Sequence, residues 1–167
     1  MRRIRRILIA TLALLLFVMV AIAAQKPDFN GSWSMDRGRS YGLPGDMDQK
    51  MTVKQTAEEI QLETKLIQPG NERSVKDNYV LDGKEHDFTP FTPPNAPPAK
   101  GKRTATWLPA GNGIVVNEVT TSDSDKGPVT NKITRKWTVS NDGELIIDMY
   151  FDTPNGSFET KRIFKKS

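Results

Sequence analysis

Few residues in this chain have the chemistry to catalyse a reaction or hold a metal, and their spacing narrows the field further. His86 is the single histidine, and there is no cysteine. The ring follows Lys84-Glu85 and precedes Asp87, just after an Asp82-Gly83 turn. A general base or a metal-bound imidazole needs partners held at fixed geometry. A Ser-His-Asp triad would have to use this one ring, and no Gly-x-Ser-x-Gly elbow accompanies it. His86 therefore reads as an exposed polar residue on a hairpin. Asp123-Ser124-Asp125 offers oxygens to Ca²⁺, yet a calcium loop wants six or more at ordered spacing, with a glycine and a distal glutamate that this run lacks. It reads as a solvated turn. Glu58-Glu59 reads as a hairpin tip, and Asp82 and Asp142 as turn residues. No catalytic set, metal site or cofactor site is expected, and the chain reads as a non-enzyme.

Binding chemistry is better marked. Arg135 alternates in phase with Ile133, Trp137 and Val139, and a charge on a dry face is costly unless it is paired. On an internal face, Arg135 is placed to hold an anionic head group such as a carboxylate. On a twisted strand near a rim it reaches water, which is the expected placement. Arg135, Trp137, Met149 and Phe91 form the candidate ligand-binding set. Phe91 belongs to a segment from Thr89 to Lys100 that carries Pro90, Pro93, Pro94, Pro97 and Pro98. So many prolines forbid a ladder and favour an extended, polyproline-like path. Long loops of this kind are often lids or binding segments. Two forms fit: a flap over a barrel mouth with a phenylalanine dipping inward, or a strap along the wall, the latter preferred.

These side chains need a scaffold, and its pattern is alternation. Gly31, Trp33 and Met35 alternate with Ser32, Ser34 and Asp36. Ile60, Leu62, Thr64 and Leu66 alternate with polar residues, Asn131 to Val139 repeat the alternation, and Leu145, Ile147, Met149 and Phe151 alternate with Ile146, Asp148 and Tyr150. Phe158, Thr160, Arg162 and Phe164 share one face of the last segment. Turn signals recur about every ten residues, as in an all-β sandwich or barrel. Asp82-Gly83 suits a two-residue hairpin between Val75 to Leu81 and Lys84 to Phe88. Gln68-Pro69-Gly70-Asn71, Leu43-Pro44-Gly45-Asp46 and Ser122 to Pro128 read as turns or loops. Nine or ten strands are expected. Closure removes exposed edges, so an antiparallel up-and-down β-barrel is preferred over two sheets, with the last strand beside the first.

The first 24 residues stand apart. Arg2, Arg3, Arg5 and Arg6 precede an apolar run from Ile7 to Ile22, and Ala21-Ile22-Ala23-Ala24 offers small residues for cleavage. That is the layout of a secretory signal peptide, and the apolar run is short for a membrane span of about 20 residues. Cleavage leaves residues 25–167 as a single domain in the periplasm or the medium, with no membrane span. Four of the 24 Lys and Arg residues lie in the leader and none of the 20 acids do. The mature chain is then formally neutral, which removes the cation surplus that nucleic-acid binding requires. Without cysteine, disulfides are excluded.

Phe29-Asn30-Gly31-Ser32-Trp33 resembles the Gly-x-Trp opening shared by lipocalins and intracellular fatty-acid-binding proteins, the calycin group. Arg162 resembles the late arginine that packs over that tryptophan. The resemblance implies an eight- to ten-stranded up-and-down barrel with an interior site for an apolar ligand, and a structural clasp between Trp33 and Arg162. A cation on an indole face is worth about 0.5–2 kcal/mol. The middle of the chain departs from both families: it carries no helix-turn-helix signature and no disulfide. It also looks like small exported bacterial lipocalin-like proteins. The expected function is non-catalytic binding of a small apolar or amphipathic molecule. The alternative is a protein–protein or inhibitor module of the cell envelope that uses the Pro-rich loop 89–100.

Overall fold

The computed structural model describes residues 26–42, 46–92, 97–125 and 127–167. Among them are ten strands and no helix: β1 Gly31–Met35, β2 Asp48–Gln55, β3 Glu59–Gln68, β4 Asn71–Val80, β5 His86–Phe88, β6 Ala99–Trp107, β7 Gly113–Ser124, β8 Gly127–Val139, β9 Leu145–Thr153 and β10 Gly156–Lys166. The leader expected at 1–24, the Leu43-Pro44-Gly45 turn and Pro93-Pro94 lie outside the described residues.

All ten strands belong to one antiparallel sheet, in the order β4-β3-β2-β1-β10-β9-β8-β7-β6-β5. The sheet curls until β4 comes beside β6. This is the expected all-β, up-and-down barrel, nearly closed. The first and last strands do meet: β1 pairs with β10, with Trp33 opposite Lys166 and Met35 opposite Phe164. Strand alternation sends one face of each strand inward. Trp33, Val53, Ile60, Tyr79, Ile114, Val116, Trp137, Leu145 and Phe164 are buried there.

One end of the barrel is filled with aromatic rings. Phe29, ahead of β1, is fully buried. It stacks on Trp107 with ring centroids 6.3 Å apart and meets Trp137 edge-on at 5.9 Å. Its carbonyl accepts the Trp33 indole N–H at 2.9 Å, and its own N–H donates to Gln55 Oε1 at 2.7 Å. The opposite end is the mouth, where Phe91 and Phe158 are about half exposed.

Two expectations are corrected. The hairpin from Val75 to Phe88 does not form, because β4 and β5 are the two edges of the sheet. The Asp82 carboxylate accepts the Lys84 N–H at 2.9 Å and lies 3.0 Å from His86 Nε2. Gly83, with φ of 71°, donates its N–H to the Ala105 carbonyl at 3.0 Å. The turn is thereby hooked onto β6, and β5 runs along β6 instead of returning along β4. Ser122 to Pro128 is mostly ladder rather than loop, with Ser122 opposite Val129 and Ser124 opposite Gly127. Asp123, Ser124 and Asp125 are exposed at this hairpin end, so no alternation of polarity marks the strand.

Candidate functional site

Asp77 of β4, Arg103 of β6, Glu118 of β7, Arg135 of β8 and Arg162 of β10 are charged side chains that line the barrel interior. Four of them form a continuous chain. Arg103 Nη2 donates to Asp77 Oδ2 at 2.9 Å, and Arg103 Nε donates to Glu118 Oε1 at 2.7 Å. The second oxygen of Glu118 takes the Arg135 guanidinium. Side-chain exposure is 5% for Arg103 and 3% for Glu118. Charges so far from water persist when paired and hydrogen-bonded, and here each acid lies against at least one guanidinium. Burial works against the charge of Arg103, but Asp77 and Glu118 outweigh it and hold its pKa above the ordinary guanidinium value. The Arg103 guanidinium also lies between two rings, 3.9 Å from the Phe88 centroid and 4.7 Å from that of Tyr79. Burial pushes the Tyr79 phenol well above its ordinary range, so it stays neutral.

Arg162 differs from its neighbours. It is buried, and its one hydrogen bond among the described residues runs from Nη1 to the Tyr41 carbonyl at 3.4 Å. Among the described residues its Nε has no partner, and neither do the Thr160 hydroxyl and the Trp137 indole N–H. Burial, followed by the repulsion of Arg135, lowers the Arg162 pKa. Within this group of five, three arginines against two acids leave one surplus positive charge.

The five charged side chains face a cavity of about 650 Å³, lined also by Met51, Leu62, Ile147, Met149 and Phe151. That size and that mixture of apolar wall with few polar groups suit a small-molecule pocket. Arg135, Trp137, Met149 and Phe91, the candidates from the sequence, all line this one cavity. Arg135 stands on the inner wall and does not reach past the rim. The reason is Glu118, which meets its charge from the neighbouring strand. The cation over the Trp33 ring is Lys166, at 5.4 Å from the centroid. Arg162 lines the cavity. Part of the Pro-rich segment falls outside the described residues, and Pro90, Phe91, Thr92 and Pro97 border the cavity.

Asp77, Arg103 and Glu118 were not singled out from the sequence. The signal was there. Arg103 is in phase with Ala105 and Trp107, Glu118 with Ile114 and Val116, and Asp77 with Val75 and Tyr79. Each breaks an apolar face as Arg135 does.

His86 Nε2 lies 3.0 Å from Asp82 Oδ1 at the turn before β5, and its side chain is 42% exposed. Glu58 and Glu59 donate their N–H groups to the Thr56 hydroxyl at a hairpin tip. Among the described residues no group of three or more His, Asp or Glu is gathered to hold a metal ion. What the interior can do chemically is hold an anion: its cations outnumber its acids, and both acids are already engaged.

No family model and no curated protein matches the chain. Among solved structures the chain is similar to secretory abundant heat soluble protein 4 from Ramazzottius varieornatus, with a TM-score of 0.47 and 16% identity over 83% of this chain and 94% of that one.

Proposed function

We propose that this chain is an exported, non-catalytic, lipocalin-like barrel that binds a small amphipathic molecule. The anionic head group of the ligand sits against Arg162 and its apolar part against Trp137, Met149 and Ile147. The observation that carries this reading is the state of Arg162, a buried guanidinium with no acid beside it and an unpartnered Nε, in a cavity of about 650 Å³. A buried unpaired cation costs several kcal/mol, and charge-assisted hydrogen bonds to a carboxylate, each about 1.5–3 kcal/mol, would offset that cost. The apolar wall supports a hydrocarbon tail at about 0.8 kcal/mol per buried methylene.

Titration with cis-parinaric acid tests the reading. Saturable fluorescence uptake is expected, with the free acid bound at least about tenfold more tightly than its methyl ester. Equal affinity for acid and ester would remove the head-group site, and absence of uptake would remove the binding function.

A further inference from the structure

The barrel wall is not built alike all the way round. Between β4 and β5 the cavity is separated from a groove of about 670 Å³ on the outer surface. The partition consists of side chains: Leu62, Lys76, Asp77, Phe88, Thr89 and Arg103 line both spaces. Every other interval of the sheet order is a backbone ladder. Here, among the described residues, the side-chain hydrogen bonds between β4 and β6 come from Arg103. Its Nη2 donates to Asp77 and its Nη1 to the Asn78 carbonyl at 3.0 Å. The guanidinium is flanked by Phe88 from one side of the gap and Tyr79 from the other. Phe88 folds over Gly101, where an added Cβ would lie 2.4 Å from the ring. At the closed end the Gly83 to Ala105 hydrogen bond pins the interval shut.

We propose that this interval is a side door, through which the ligand enters and leaves between β4 and β5, and that Arg103 with the Phe88 and Tyr79 rings is its latch. This rests on the binding reading above. Opening costs little for a physical reason. An Arg103 that releases Asp77 and Asn78 still has Glu118 as a partner, shared with Arg135, so its guanidinium is not left without an acid. Asp77, whose side chain is already 29% exposed, turns to water. Elsewhere, parting two strands breaks a row of backbone bonds at about 1 kcal/mol each. Side-chain rearrangement is also fast compared with strand separation.

The absence of cysteine allows a clean test. Lys76 and Asp87 are exposed residues on the two sides of the outer groove. The Lys76→Cys, Asp87→Cys double variant is to be joined by the shortest bis-maleimide that links the pair completely, and cis-parinaric acid uptake and release followed by stopped flow. Expected is a slowing of both rates by at least about tenfold, with Kd changed less than about threefold. Arg103→Lys keeps a cation beside Glu118 but lacks the fork that spans Asp77 and Asn78, and should speed both rates. Unchanged rates in the linked protein would mean passage through the mouth and overturn the side door while leaving the binding reading intact. No saturable uptake in the unlinked protein would overturn both.

Discussion

Lys166 Nζ lies 5.4 Å from the centroid of the Trp33 ring, and these two residues stand opposite each other across the β1–β10 ladder. The closure of the chain's first strand on its last is thus reinforced by a cation on an indole face, from a strand partner rather than from the buried Arg162.

Lys166→Ala should lower the unfolding free energy by about 0.5–1 kcal/mol, the worth of an exposed cation–π contact. A urea denaturation curve that superimposes on the parent's would show that the contact adds nothing to the ladder.

Arg162→Met should act in opposite directions on stability and on binding. Removing a buried cation with no acid partner relieves its desolvation cost, so the melting temperature should rise. Affinity for an anionic amphiphile should fall at least about tenfold, since the head group loses charge-assisted hydrogen bonds. A lower melting temperature with unchanged affinity would assign Arg162 a purely structural part.

Glu118 holds two arginines. Glu118→Gln should destabilise by about 3–5 kcal/mol, because Arg103 and Arg135 lose their shared anion in a dry interior. Replacing Arg103, Glu118 and Arg135 together with Met, Leu and Met should cost less than that single change. Chemical denaturation of the two variants side by side provides the check. A triple variant less stable than Glu118→Gln would contradict the desolvation argument.

Asp36 accepts from Lys165 at 2.9 Å and from Arg39 Nε at 3.0 Å. These bonds, Lys165 first, hold its carboxyl down to about 2 from the ordinary 3.8. A depressed carboxylate stabilises the fold fully above its ordinary value, and the contribution is lost as pH falls through the depressed one. Asp36→Asn should therefore melt below the parent at neutral pH, with the gap closing between about pH 4 and about pH 2. A gap that stays constant across that range would rule out the titration of Asp36 as its source.

The strands were legible because each has one dry face, and the pairing of Phe158 to Phe164 with the strand before it follows from the Thr153 to Gly156 turn. The break between β4 and β5 was not legible. Asp82-Gly83 has the residues of a tight hairpin, and only the capture of the Gly83 N–H by Ala105, far along the chain, diverts it. Arg135 could be placed on an apolar face but not on the inside or the rim. Its partner, Glu118, stands on a different strand, and a single alternating pattern cannot show that two charges on separate strands will meet. The unpaired state of Arg162 is likewise a property of the assembled interior: what marks it is the lack of an acid on β1 and β9 beside it.

Eight of the nine ladders join strands that follow one another in the chain, and the ninth joins Trp33 to Lys166. Most hairpins of the first kind close over short loops and can form early, but the ninth must wait for the C-terminal residues. Until then Phe29 and Trp33 have no wall to fill, and both neighbouring edges stay open to other chains. A chain truncated before Gly156 should accumulate as an aggregation-prone meander, so the order in which this barrel is completed is set at its very last strand.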